Sequence, residues 1–242
     1  MNCHAYVDFD GTIMLCDTTD YLFERFALPE WRAVEEEWAS GHIGSRECMA
    51  RQVALLRVTK ADLEAAAAEL EIDPGFANFL SMLRQRGIGV TIVSDGLDRI
   101  IDLTLKRFGL EVPFYANRLV QVGDDTWRLE FPHARDDCAA GSGHCKCSRT
   151  AAHRPALGVV VGDGRSDFCI AGRADLVLAK SKLIRECEAN GLPHLPFREF
   201  SEAEVLLADW LNSLPANDGR VEEVYEAPSP RVGPRVLEPS GD

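Results

Sequence analysis

Two carboxylates one residue apart close an apolar run in Tyr6-Val7-Asp8-Phe9-Asp10-Gly11-Thr12. An aspartate at the carboxyl end of a strand can act as a nucleophile. A second carboxylate two positions on shares its face along a strand and can pass a proton to or from the same reacting centre. Gly11 lets the backbone fold tightly around that centre. Taken alone, D-x-D-G reads equally well as an acidic surface turn. Three further pieces follow it in order: Ile92-Val93-Ser94-Asp95-Gly96, then Lys146, then Val159-Val160-Val161-Gly162-Asp163-Gly164-Arg165-Ser166-Asp167. Together they provide what phosphoryl transfer requires: an in-line nucleophile, a proton donor for the leaving oxygen, and positive charge around the transferring oxygens.

In order and type, these pieces resemble the four motifs of the haloacid dehalogenase superfamily. The resemblance is narrower to its phosphoserine-phosphatase-like branch, and within that to its methionine-salvage members. It spans about residues 4–213 and rests further on Pro29-Glu30-Trp31, Phe131-Pro132-His133, Cys145-Lys146 and the stretch from Glu186 to Phe197. It implies that Asp8 attacks phosphorus, that Asp10 protonates the leaving oxygen and later activates water, that Ser94 hydrogen-bonds the phosphoryl oxygens, and that Lys146 neutralises charge. It also implies Mg²⁺, bound by Asp8 and Asp163 with the backbone carbonyl of Asp10 and the support of Asp167. Asp17, Trp31, Asp95 and Gly96 are the implied substrate contacts. The chain departs from the family's pattern where Cys147-Ser148 follows Lys146 in place of Pro-Ser, and where Ser94-Asp95-Gly96 lacks the common Gly-Gly pair.

The elements that must position these residues follow from periodicity. Residues 4–9, 88–93, 158–161 and 175–178 predict strands. Phe76, Phe79, Leu80 and Leu83 recur at helical spacing, as do Ile101, Leu105 and Phe108, and then Leu207, Trp210, Leu211 and Leu214. Phe114–Asn117 predicts a short strand, and Arg118–Val122 with Thr126–Phe131 a hairpin. Strands alternating with helices predict an α/β fold with a doubly wound, mainly parallel sheet, the Rossmannoid core of the family. Between the first two strands, residues 18–73 predict a small helical cap in four pieces: Thr18–Ala27, Pro29–Ala39, Ser45–Arg57 and Thr59–Glu71. The core is then 1–17 with 74–214. Residues 215–242 carry five of the 12 prolines without periodicity and predict a flexible tail.

With 242 residues and 46% hydrophobic content, the chain has material for a substantial core. A net charge of −13 opposes binding to nucleic acid or to an anionic membrane, and places any phosphorylated substrate in need of local positive charge. A small phosphorylated metabolite is the expected partner and the cytoplasm the expected location. The eight cysteines show no disulfide-framework spacing and read as reduced thiols. His133, Cys138, His144, Cys145 and Cys147 form a second cluster whose residue types suit zinc, although the spacing matches no standard zinc finger. The rival to an esterase is a non-catalytic phosphate-binding module; a phosphotransferase would share the first half-reaction.

Overall fold

A computed structural model describes residues 2–138, 140–153 and 155–214; the tail expected at 215–242 lies outside the described residues. The chain begins with β1 (Cys3–Val7), a wide turn at Phe9–Ile13, and four helices: α1 (Thr18–Phe26), α2 (Trp31–Ala39), α3 (Ser45–Ala54) and α4 (Lys60–Glu69). Next come α5 (Phe76–Gln85), β2 (Gly89–Leu97), α6 (Asp98–Arg107), β3 (Phe114–Gln121) and β4 (Trp127–Glu130). The remainder is α7 (Cys147–His153), β5 (Leu157–Gly162), α8 (Phe168–Ala171), β6 (Leu176–Ala179), α9 (Ser181–Asn190), β7 (His194–Pro196) and α10 (Phe200–Ser213). No helix among the described residues is long and apolar enough to cross a membrane.

The sheet runs β4-β3-β2-β1-β5-β6-β7. All pairings are parallel except β3 with β4. The central strands read as unbroken apolar runs because both faces are covered. Successive side chains go to opposite sides, and the core divides accordingly. Ala5, Val7, Ile92, Val159, Val161, Leu176 and Leu178 join α5, α6 and α10 on one side. Tyr6, Val93, Val160, Val177 and Ala179 meet Ile170, Leu183 and Cys187 on the other. A doubly wound α/β fold follows, as the alternation of elements predicts.

Three details differ from the sequence reading. The short strand and the first hairpin arm are one strand, β3, which pairs with β2 at its start and with β4 further on. Helix α2 starts at Trp31, not Pro29, because Leu28–Trp31 closes a turn through Trp31 N–H to Leu28 O at 3.1 Å. The three-residue β7 has no periodic signature of its own and forms by pairing with β6.

The inserted helices are fastened at several points. Asp17 caps α1 by accepting from Thr19 N–H and Asp20 N–H at 2.9 and 3.0 Å, and Thr59 caps α4 by accepting from Asp62 N–H at 3.2 Å. The two connections between insertion and sheet bond to each other, Leu15 N–H to Glu71 O at 3.1 Å and Asp73 N–H to Ile13 O at 2.8 Å. The hairpin supports the insertion too, since Trp127 Nε1–H donates to Val58 O and Val58 N–H to Asp125 O.

Phe200 sits at 0% exposure among the rings of Phe76, Phe79 and Phe197, fixing α10 against α5. Phe200→Ala is expected to destabilise the fold by about 3–5 kcal/mol. Urea unfolding of wild type and variant measures this; a loss under 1 kcal/mol would contradict the packing.

Candidate active site

The site is assembled where β1, β2 and β5 end side by side. Asp8 follows the central strand and its N–H donates to Val161 O at 2.8 Å, so its side chain is carried one residue beyond the sheet and is almost fully buried. The chain then turns through Phe9–Ile13, closed by Met14 N–H to Phe9 O at 2.9 Å. Gly11 has φ +69°, and a Cβ there would lie 2.8 Å from Asp163 Oδ2, so this position needs glycine on both counts. Because the strand has ended, Asp10 does not share a strand face with Asp8 as the spacing suggests; the turn delivers it. Its Oδ1 accepts from Thr18 N–H at 2.9 Å and from Thr18 Oγ1–H at 2.5 Å, while Oδ2 accepts from Ser94 Oγ–H at 3.5 Å. Ser94 Oγ in turn accepts from Gly96 N–H at 2.9 Å.

Lys146 reaches this point from the start of α7. Its Nζ donates to Asp8 Oδ1 at 2.6 Å, Asp167 Oδ1 at 2.7 Å and Ser166 Oγ at 2.9 Å, three acceptors for its three protons. Asp167 Oδ2 accepts from the N–H groups of Asp163 and Gly164 at 3.2 and 3.3 Å, so the turn after β5 orients it. Burial works against the Lys146 ammonium, but Asp167 and Asp8 outweigh it and hold its pKa above the usual value. Burial drives the Asp8 carboxyl well above the carboxylate range, Asp167 adds to this, and Lys146 opposes it. Asp163 is pushed up to about 6 by burial and then by Asp167. Asp10 rises to about 7 through burial and the charge of Asp17, against the bonds from Thr18.

Several carboxyls around one ammonium leave the site short of positive charge. Ligand oxygens of Asp8, Asp163 and Asp167 lie within 4.8 Å of one another. Hard oxygen donors at this spacing fit a small divalent cation such as Mg²⁺. The side chain of Asp10 is engaged by Thr18 and Ser94, which leaves its backbone carbonyl as the atom it could offer to a metal.

A cavity of about 800 Å³ opens above these groups. The turns after β1 and β5 supply Asp8, Asp10 and Asp163, and the connection before α7 supplies Lys146; the inserted helices with the cap of α1 supply Asp17, Asp20, Glu35, Trp38, Met49 and Gln52. Trp31 is not among the lining groups. It begins the inner face of α2 and is buried against Phe23, ring centroids 5.8 Å apart, within the core of the insertion. The lining tryptophan is Trp38, two turns on, with the Arg165 guanidinium 5.5 Å over its ring. Asp95 lines the cavity and also joins three segments. It accepts from Ser45 Oγ–H of α3 at 2.8 Å, from His144 N–H at 2.8 Å and from Asn117 Nδ2–H at 3.0 Å. Sequence reasoning missed Trp38, Glu35 and Gln52, the last two hydrogen-bonded at 2.9 Å. Helical spacing from Trp31 puts Trp38 on the same face, but only packing shows where that face leaves the insertion's core.

The cysteine expectation needs correction. Cys147 and Cys169 are joined by a disulfide, so not all eight cysteines are thiols. Zinc at the His/Cys cluster is disfavoured on the same ground, since the bonded Cys147 sulfur is no thiolate ligand. Among the described residues, the aspartate trio alone qualifies as a group able to hold a metal ion.

The model of the haloacid dehalogenase-like hydrolases matches residues 5–172. The chain belongs to that family. A 2-hydroxy-3-keto-5-methylthiopentenyl-1-phosphate phosphatase from Geobacillus kaustophilus is 34% identical over 204 residues, covering 81% of this chain and 90% of the relative. A phosphatase of the same name from Brevibacillus brevis is 34% identical over 203 residues, covering 81% and 91%. Among solved structures, a phosphoserine phosphatase described as a phospho-aspartyl intermediate analogue superposes with TM-score 0.64 at 20% identity, covering 85% of this chain and 98% of that one. At that identity the likeness speaks for the haloacid dehalogenase-like fold.

Two outcomes follow from the packing around this hydrolase's site. A Cβ on Gly96 would overlap Asp10 Oδ2 and crowd Ser94 Oγ. Gly96→Ala is therefore expected to lower kcat/KM about a hundredfold by displacing Asp10, with little change in melting temperature; near-normal turnover would contradict the geometry. The Asp20 carboxyl is pushed from 3.8 up to about 6 by burial, then by Asp17, Glu35 and Glu24. Between those values the folded chain binds a proton that the unfolded chain does not, so this contribution to stability is lost as pH rises through about 6. The urea midpoint of Asp20→Asn relative to wild type should hence rise between pH 4 and pH 8, and a difference independent of pH would rule the effect out.

Proposed function

We propose that the chain is a cytoplasmic, Mg²⁺-dependent phosphomonoesterase that hydrolyses a small-metabolite phosphate through an aspartyl-phosphate on Asp8. The first substrate to consider is 2-hydroxy-3-keto-5-methylthiopentenyl-1-phosphate of methionine salvage. One observation carries the reading: Lys146 Nζ binds Asp8 and Asp167 together, at 2.6 and 2.7 Å, on the floor of a cavity that also holds Asp10. A module that only bound phosphate would need no buried carboxylate nucleophile beside a carboxyl whose pKa lies near 7. The substrate is supported by relatives covering 81% of the chain that are phosphatases of that ester.

In this reading Asp8 attacks phosphorus in line, held in orientation by Lys146. Asp10, poised near neutral pH, gives its proton to the leaving oxygen and later takes one from the attacking water. Ser94, within β2, donates its hydroxyl to Asp10 in the free site and would turn that proton to a phosphoryl oxygen in the complex. When bound at Asp8, Asp163 and Asp167, Mg²⁺ supplies the positive charge that offsets repulsion between a carboxylate and a phosphate. The inserted helices exclude water and limit entry to small esters.

A second reading, an amine-bearing ester such as phosphoserine, is favoured by the three carboxyl groups Asp17, Asp20 and Glu35 on the cavity wall. Comparing kcat/KM for the enol phosphate, phosphoserine and an aryl phosphate decides between them. The proposal expects the enol phosphate to be best; equal values for all three would leave a phosphatase without that substrate.

Asp8→Asn is expected to abolish turnover while leaving thermal unfolding in place, and EDTA to remove activity that Mg²⁺ restores. Asp10→Asn should spare an activated aryl ester more than an alkyl ester, because the better leaving group needs less protonation. Steady-state rates measure all three, and full activity of Asp8→Asn would sink the mechanism.

A further inference from the structure

Lys146 is held differently from the other groups of the site. Asp8 follows β1, Ser94 lies within β2 and Asp163 follows β5, so the sheet fixes all three. Lys146 instead stands outside the sheet, on the connection that leads from β4 to α7. Its neighbour Cys147 is disulfide-bonded to Cys169, which stands two residues beyond Asp167. The covalent bond thus runs alongside the ion pair from Lys146 to Asp167 and ties the same two segments. Cys147 is buried, whereas Cys169 is exposed and lines the cavity wall. Their Cα atoms are 6.2 Å apart, within the range that disulfides accept.

We propose that Cys147 and Cys169 form a reversible oxidation site whose disulfide fastens Lys146 against Asp8 and Asp167. In a reducing compartment disulfides are usually transient or redox-sensing, and exposed ones exchange most readily. The bond forms by exchange with a low-molecular-weight disulfide. The Cys169 thiolate attacks one sulfur of the reagent and expels the other as a thiolate; the Cys147 thiolate then attacks Cys169 Sγ and expels the second. Two cysteine thiols are oxidised to one disulfide, one reagent disulfide is reduced to two thiols, and the protons pass to the departing thiolates. A dithiol reverses the sequence, entering at the exposed Cys169 sulfur. Opening the bond leaves the Lys146 segment without a covalent tie to the Asp167 segment, held by the Lys146 ion pairs and by hydrogen bonds such as His144 N–H to Asp95, Cys145 N–H to His133 O and Arg173 to Cys147 O, so Lys146 becomes more accessible and less well placed.

The test uses the full chain equilibrated with oxidised or reduced dithiothreitol. Free thiols are alkylated and Lys146 is acetylated with acetic anhydride before peptide mass mapping; the aryl phosphatase rate is read in parallel. Peptides carrying Cys147 and Cys169 should be linked without reductant and separate after it. Reduction should raise Lys146 acetylation about tenfold and lower kcat about tenfold. Cys169→Ser should give the reduced-state values in both buffers, and the wild-type comparison decides the matter if that variant does not fold. Alkylation of both cysteines without reductant, or equal Lys146 acetylation in the two states, would overturn the proposal. Only the rate measurement rests on the phosphatase reading: absent turnover in both states with redox-dependent acetylation would remove that reading and leave the oxidation site standing.

Discussion

The buried ammonium of Lys146 is the constraint on which the site depends. Removing such a group from water costs several kcal/mol, recovered only when every proton finds an acceptor and the charge a partner. Asp8, Asp167 and Ser166 meet that demand. The dependence is mutual, since Asp8 and Asp167 are themselves buried and would be uncompensated without Lys146. The carboxyls still outnumber the ammonium, and the raised pKa values of Asp8 and Asp163 owe most to burial and then to the neighbouring charge of Asp167. The same surplus of negative charge makes the trio a fitting cradle for a divalent cation.

A sheet buried on both faces sets this arrangement in place. Strands β1, β2 and β5 are neighbours in parallel, so their carboxyl ends lie together and polar residues just beyond them converge. The enclosing wall comes from the insertion, attached through paired connections at Ile13–Leu15 and Glu71–Asp73 and seated on the β3–β4 hairpin. Ser45 of α3 reaches Asp95 at the tip of β2, so the wall and the floor share a hydrogen bond at the cavity itself. The acidic wall above an acidic floor matches the strongly negative chain, and it confines positive charge to Lys146, any bound cation and the few basic side chains at the rim, Arg165 and Lys182.

What the sequence by itself determined is what local chemistry controls. Unbroken apolar runs ending in Gly and Asp marked β1 and β5 and the groups at their ends, because a strand covered on both faces must be apolar and must stop where polar residues begin. The caps of α1 and α4 are equally local, because an N-cap bond closes within three residues. The order of the four motifs was legible, and so was the doubly wound class. The tertiary structure alone decided which tryptophan meets the cavity, that Asp95 is tied to the insertion, that β7 exists, and that Cys147 finds Cys169. In each case the deciding partner is remote in sequence or lies on another element, so no periodicity along the chain carries it. Lys146 shows the division most clearly: nothing adjacent to it distinguishes a solvated lysine from a buried one, and only the approach of Asp8, 138 residues away, makes it the charge that organises the site.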